Sequence, residues 1–155
     1  MKALGLQCNC IRCREIKGES VQFSDVALRV KEIEAAEGQE FFITFEDTAR
    51  NKLVSLLRLR FSSYSLQGKK HFMKELEGAA LVREVHTYGE QIRLKNSEQS
   101  ASQHIGLGRR MMQKAEEIAV KNGYKKIAVI SGIGVREYYR KLGYELEGTY
   151  MIKRL

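Results

Sequence analysis

The residues best equipped for chemistry are Gln103-His104-Ile105-Gly106-Leu107-Gly108-Arg109-Arg110. Directly after them Gly108, Met111, Met112, Ala115, Ile118 and Ala119 recur at three- and four-residue steps, the spacing of one helix face. Glu116, Glu117 and Lys121 fall on the other side of that helix. A loop that opens into a helix N-terminus offers unpaired backbone N–H groups and the positive end of the helix dipole, which suits an anion. Glycine has no Cβ, so Gly106 and Gly108 let a phosphate approach the main chain, and Arg109 and Arg110 add charge beside it. A glycine pair ahead of a helix also serves as a plain turn. The stretch is not a dinucleotide fingerprint, which fails at Met111, and no Gly-Lys-Ser/Thr follows to make a Walker loop.

Cys8, Cys10 and Cys13 read Cys-x-Cys-x-x-Cys. Three cysteines so close cannot build a disulfide framework. They can wrap a Zn²⁺, with a fourth ligand from His71, His86, His104, water or another chain. The spacing differs from Cys-x-x-x-Cys-x-x-Cys of radical-SAM proteins, so no iron–sulfur cluster is expected. Three reduced thiols at a chain terminus are the alternative. The net charge is +8, from 27 Lys plus Arg against 19 Asp plus Glu. Such a balance favours RNA, DNA or a multiply phosphorylated cofactor. Arg12, Arg14, Arg58, Arg60, Lys69, Lys70 and Lys74 are candidates for RNA backbone contacts. Few aromatics interleave with them, so base stacking is not indicated.

A chain of 155 residues is most simply one domain, and 43% hydrophobic with 30% charged residues is ordinary for a globular protein. No apolar run nears the ~20 residues that span a bilayer, and Met1 to Leu6 lacks the signal-peptide pattern. Cytosolic residence is the default expectation, with no membrane partner. Alternation predicts strands over Val26–Val30, Phe41–Phe45, Leu53–Phe61 and Ala79–Tyr88, with a short one at Ile92–Leu94. Ser62 to Lys74 reads as a loop, and Ser97 to Ser102 as the lead into the Gln103 loop and a helix cap. Gly123 stops the long helix. Ile127–Ile130 is a buried strand, Val135–Leu142 a short helix stopped by Gly143, and Tyr144–Ile152 a closing strand.

Gln-x-x-Gly-x-Gly, with a strand before it and strand–helix–strand after it, resembles the acyl-CoA motif of the GCN5-related N-acetyltransferase (GNAT) superfamily. Val135-Arg136-Glu137-Tyr138-Tyr139-Arg140-Lys141-Leu142-Gly143-Tyr144 resembles that family's aromatic-Tyr-x-Lys-x-Gly-aromatic segment. Cys8 to Glu15, Leu57 to Arg60, Val82 to Gly89, Ile127 to Gly132 and Tyr138 to Lys141 are also similar to the Elongator-type family of transfer-RNA wobble-uridine acetyltransferases. The likeness covers that family's acetyltransferase domain and its preceding linker, not its radical-SAM domain. It implies an α/β (α+β) GNAT acyltransferase fold, a mixed, mostly antiparallel sheet flanked by helices, over residues 24–155, after a Cys-rich basic segment at 1–23.

The resemblance also implies roles. Main-chain groups of Gln103, His104, Ile105, Gly106, Leu107, Gly108, Arg109 and Arg110 would hold the pyrophosphate of acetyl-CoA. Val85, His86 and Thr87 would meet the acetyl carbonyl and pantetheine arm. Tyr138 and Tyr139 stand where the family has a tyrosine near the thioester sulfur; one acts and one packs, with Tyr139 preferred as general acid. Glu84 and His86, two apart on a strand, share a face and are candidate bases. The implied partners are acetyl-CoA, transfer RNA and a radical-SAM domain or chain, with acetyl-CoA hydrolysis or transfer stimulated by transfer RNA. A protein lysine N-acetyltransferase and a non-catalytic RNA-binding module are the other readings.

Overall fold

Alternating apolar and polar residues over 26–62 build three long antiparallel strands, β1 (Val26–Ala35), β2 (Gly38–Asp47) and β3 (Lys52–Ser62). The computed structural model describes residues 8–17, 19, 21, 23–66, 71–88 and 98–155, and only the backbone at 23, 64, 66 and 98–105. Gly38 enters β2 at φ +155°, and a Cβ there would stand 2.0 Å from the Phe61 carbonyl oxygen, so only glycine fits this turn. At the next turn Asp47, 2% exposed, accepts the Arg50 N–H at 3.0 Å. That amide, together with the Arg50 guanidinium, holds the Asp47 carboxyl below the usual range.

After a helical turn α2 (Ser63–Leu66), β4 (Ala80–Thr87) pairs antiparallel with β3. The long helix α3 (Glu98–Lys121) then crosses one face of the sheet and delivers β5 (Lys126–Ile130), which pairs parallel with β4. A short helix α4 (Arg136–Lys141) precedes the hairpin β6 (Glu145–Glu147) and β7 (Tyr150–Arg154). Among the described residues the strand order is β1-β2-β3-β4-β5-β7-β6, seven strands antiparallel except at β4–β5. The expected mixed, mostly antiparallel α/β architecture is therefore present.

Met111, Met112, Ala115 and Ala119, each at most 1% exposed, face Ile43, Leu57, Leu59 and Val82 in the main core. Gly123 and Gly143, both at positive φ, end α3 and α4 in the same way. The following tyrosine N–H returns to the carbonyl five residues back, Tyr124 to Ala119 and Tyr144 to Tyr139.

Three expectations are corrected. The closing strand is a hairpin, broken where Gly148 turns at φ +58°. The Ser62–Lys74 loop holds the helical turn α2 and a 3-10 turn at Lys74–Leu76. Ile16, 1% exposed, packs with Leu53, Leu56 and Tyr88 on the sheet face opposite α3, and its N–H bonds the Leu53 carbonyl. The Cys-bearing turn α1 (Ile11–Arg14) is thereby tied to the domain. Finally, α3 begins at Glu98, so the Gln103 stretch is helix rather than loop. Glu98, Gln99, Ala101 and Gln103 are good helix formers and no proline interrupts them. The strand expected at Ile92–Leu94 lies outside the described residues, and of the lead-in and cap expected at Ser97 to Ser102 only Ser97 does, the rest being helix.

A buried carboxylate holds the middle of the sheet. Glu40, 7% exposed, accepts hydrogen bonds from Arg58, at 2.9 Å, and from Arg83. Burial would raise its pKa, but the two guanidiniums override this and hold it below the ordinary 4.5. Glu40→Gln is expected to cost about 2 kcal/mol at neutral pH, less than a fully buried pair because both arginines reach solvent. A depressed native pKa gives stability that is complete above the unfolded value and lost as pH falls through the folded one. Urea midpoints of wild type and Glu40→Gln should therefore converge only as pH falls below the ordinary glutamate range; a gap independent of pH would show that the ion pair is not its source.

Candidate active site

The sheet opens where β4 and β5 part. Their parallel pairing is confined to Ala80–Ile127, Leu81–Ala128 and Val82–Val129. Beyond it β5 ends at Ile130 while β4 continues to Thr87, bonded among the described residues only to β3. The register explains the parting. Arg58 faces Glu84 and Leu59 faces Val82, so Arg83 is an extra residue bulged out of β4. A bulge bends its strand and sharpens its twist, and such irregularities re-aim strands beside functional sites. The Arg83 guanidinium reaches over β3 to Glu40 on β2, which pins the bulge. The result is a wedge with the free main-chain edge of β4, residues Glu84 to Thr87, along one wall.

α3 and α4 meet at one end of this wedge. A Cβ added to Gly108 would stand 2.8 Å from the Tyr138 hydroxyl, so glycine and tyrosine are in contact. The Tyr138 Oη is buried and has no hydrogen-bond partner among the described residues, nor have Ser131 Oγ just after β5 and Arg136 Nε at the start of α4. Three orphaned polar atoms within eight residues at the mouth of a wedge fit a polar ligand better than a closed core. Burial raises the Tyr138 pKa, and the nearby Arg109 charge opposes that shift.

The two arginines of the motif diverge. Arg110 lies over the Phe45 ring, 4.8 Å from its centroid, while Arg109 turns toward α4. Gly106 has nothing within 4 Å of an added Cβ. The side chains of Gln103, His104 and Ile105 lie outside the described residues. Leu107, 2% exposed, is a core residue.

Tyr139 behaves differently from Tyr138. It is 6% exposed, packs edge-on against Tyr138 and Tyr144 at 5.2 and 5.9 Å, and burial followed by the neighbouring Tyr138 pushes its hydroxyl up to about 12. Both phenols thus keep their protons at neutral pH.

Val85 turns into the α3 core, whereas Glu84 and His86 lie on the opposite sheet face. There Glu84 sits 3.8 Å from Arg58, and His86 packs on Tyr88 with centroids 4.5 Å apart. The candidate bases and the tyrosines therefore flank the wedge from opposite faces. Cross-strand neighbours Lys31, Phe42, Arg58 and Glu84 form a row on the same face as the bases.

The basic candidates are not equally free. Arg14 pairs with Glu46 at 2.7 Å, Arg58 with Glu40, and Arg60 donates to the Ala36 carbonyl. Arg12 and Lys74 are exposed, and Lys69 and Lys70 lie outside the described residues. The Sγ atoms of Cys8, Cys10 and Cys13 lie within 4.8 Å of one another, and no histidine joins them among the described residues. The Cys13 amide and then the neighbouring thiols hold Cys10 down at about 7, while hydrogen bonding to Cys10 and Cys8 pushes Cys13 up to about 11. Among the described residues no helix is long and apolar enough to cross a membrane.

A mostly antiparallel sheet that splays at one parallel strand pair, with a glycine-bearing helix and a tyrosine-bearing helix at the splay, is the layout of an acyl-CoA-dependent acyltransferase. The profile of the acetyltransferase (GNAT) family matches residues 14–144, and the chain belongs to that family. It is 43% identical over 164 residues to the tRNA uridine(34) acetyltransferase of Methanocaldococcus jannaschii, covering all of this chain and 29% of that protein. It is 41% identical over 160 residues to Elongator complex protein 3 of Saccharomyces cerevisiae, covering 28% of it. The solved structure of Methanocaldococcus infernus Elp3 with an N-terminal deletion aligns over 100% of this chain and 37% of that one, at 40% identity and a TM-score of 0.81. The chain thus spans under a third of the length of these curated relatives.

Ser131, Arg136 and the Glu40–Arg83 clamp were not singled out by the sequence. The Ser131-Gly132-Ile133-Gly134 run was legible only as punctuation, and a bulge is a property of register between strands that no single run displays.

Proposed function

We propose that this domain binds acetyl-CoA in the β4–β5 wedge and supplies the acetyl chemistry of a transfer-RNA wobble-uridine acetyltransferase, working in the cytoplasm with a radical-SAM domain or chain. The observation that carries the reading is the wedge closed at one end by Gly108 and the partnerless Tyr138 hydroxyl. Acetyl-CoA, when bound, brings a thioester whose carbonyl carbon takes an attack by water or an acceptor. The free β4 edge at Val85–Thr87 offers main-chain groups to the pantetheine arm. Gly106 to Arg110 receive the pyrophosphate. Because α3 already spends the amides of this stretch within the helix, its first turns open to do so; two glycines, each costing ~1 kcal/mol against alanine, mark where opening is easiest.

Tyr138 touches Gly108, at the pyrophosphate end. Tyr139 packs against Tyr138 with ring centroids 5.2 Å apart, so distance does not choose between them, and the proton for the departing thiolate is assigned to Tyr139 from the family resemblance. Glu84, on the opposite face, takes a proton from the attacking group, and His86 stands beside it. The basic row of Lys31, Arg58 and Arg60 on that same face, with Arg12, Arg14, Lys69, Lys70 and Lys74 around it, meets the RNA backbone.

The deciding experiment is thiol release from acetyl-CoA with transfer RNA or with a lysine peptide. Stimulation by transfer RNA that weakens with salt is expected. Stimulation by the peptide alone would make this a lysine acetyltransferase, and RNA binding without acetyl-CoA binding would leave an RNA-binding module. The Cys8–Cys10–Cys13 cluster fits a Zn²⁺, since thiolates at ~2.3 Å from one tetrahedral ion stand ~3.7 Å apart. Cobalt(II) loading should give a thiolate charge-transfer band that Cys10→Ser removes; its absence in wild type would leave three free thiols.

A further inference from the structure

Tyr144, which packs edge-on against Tyr139, is itself held by a carboxylate. It is 1% exposed, and its hydroxyl donates to Glu116 Oε1 at 2.8 Å. Burial, and then the Glu116 charge, raise the Tyr144 pKa, so this hydroxyl keeps its proton and is the donor. Lys153 Nζ takes the other carboxylate oxygen, Oε2, also at 2.8 Å, and lies over the Tyr144 ring, 5.5 Å from its centroid. Glu116, expected on the solvent side of α3, therefore turns inward instead. Three elements meet at this carboxylate: α3 supplies Glu116, β7 supplies Lys153, and Tyr144 follows the Gly143 turn that ends α4. The Tyr144 N–H also bonds the Tyr139 carbonyl at 3.1 Å, so Tyr144 meets Tyr139 through both main chain and ring.

We infer that Glu116 is a positioning residue for acetyl transfer: through the Tyr144 hydroxyl it fixes the ring against which Tyr139 is aimed. The inference rests on the acetyl-CoA reading given above and on Tyr139 as the acid. A general acid works only within hydrogen-bond reach of the atom it protonates, so a small swing of its ring is costly. Edge-on contacts with Tyr138 and Tyr144 restrain that swing only while their own rings stay put. Filling the space needs no hydroxyl, since phenylalanine at 144 would occupy the same ring volume. What the hydroxyl adds is direction, and a charged acceptor makes that bond stronger than a neutral one would. The Lys153 ammonium cancels the Glu116 charge, so the tether adds no net charge beside the acid.

The test is a double-mutant cycle on thiol release from acetyl-CoA by the 155-residue chain in the presence of transfer RNA, with thermal melts on each variant. Tyr144→Phe keeps the ring and removes the hydroxyl alone. It is expected to lower kcat about tenfold with KM for acetyl-CoA unchanged, and Glu116→Ala should do the same. Glu116→Gln keeps a carbonyl oxygen for Tyr144 and should recover most of kcat. In a Tyr139→Phe background, Tyr144→Phe should leave kcat where it is, because no acid remains to be aimed, while any fall in melting temperature persists. A kcat loss of the same size in both backgrounds, or none in a folded Tyr144→Phe, would overturn the inference and leave the acetyl-CoA reading standing. Wild type that releases no thiol would remove that reading and the inference with it.

Discussion

Gly108→Glu is expected to abolish acetyl-CoA binding, with at least a hundredfold loss of affinity, while the domain stays folded. Two physical effects act together. The new Cβ would lie 2.8 Å from the Tyr138 hydroxyl, so the contact that closes the wedge must spread. The added carboxylate would also stand where the pyrophosphate is expected, and two like charges at close range inside a partly desolvated cleft repel strongly. Folding should survive because a glycine in a helix is itself costly and most other residues are better helix formers. Gly106→Ala separates sterics from helix opening. Nothing lies within 4 Å of a Cβ at that position, so the substitution is free of clash and should stabilise α3 by about 1 kcal/mol. If the first turns must open to expose their amides, the same ~1 kcal/mol is lost from binding, a fall of roughly fivefold in affinity. Calorimetry and thermal melts on both variants give the answer. Tighter binding by Gly106→Ala would mean that the helix as it stands is the binding-competent form.

The elements and their succession along the chain were legible because burial leaves period-two and period-3.6 patterns, which β2, β3 and α3 follow with few breaks; the mixed sheet they build was implied by the family resemblance, and the strand order within it was not legible. The two-strand ending was hidden because Glu147-Gly148-Thr149 lacks a strong turn signature, and its apolar residues Leu146, Tyr150 and Ile152 keep the same parity through it. Within the site, Gly108 and the tyrosine pair were legible by residue type and order. What residue type could not give was their mutual placement: that Tyr138 rather than Tyr139 touches Gly108, that Arg109 and Arg110 part company, and that Glu84 faces away from the tyrosines. These depend on helix phase and on the bulge at Arg83. The bulge in turn depends on Glu40, forty-three residues earlier in the chain. A buried glutamate on a strand with a clean alternating pattern reads from the sequence as one more solvent-facing residue. Only the convergence of Arg58 and Arg83 on it reveals the clamp that ties the bulged residue to β2.

Tyr139→Phe is expected to lower kcat by about a hundredfold with little change in KM for acetyl-CoA, the size of effect that general acid catalysis usually carries. Tyr138→Phe is expected to do the reverse, raising KM through the lost hydroxyl at Gly108 and sparing kcat. The environment of Tyr139 sets how it works. A phenol pushed up to about 12 by burial keeps its proton to at least pH 10 and is a weak acid toward a solvated thiolate. The thiolate that leaves in the wedge is not solvated, however. The desolvation that raises the phenol's pKa also raises that of the departing thiol, so the two remain matched and the proton moves as charge builds on sulfur. Wild-type kcat should therefore show no basic limb up to about pH 10 from this group, and a pH–rate profile of transfer-RNA-dependent thiol release measures it. A kcat loss confined to Tyr138→Phe would exchange the two roles. Equal losses in both, with KM unchanged, would mean that the edge-on pair acts as a unit and that the contact with Gly108 serves packing alone.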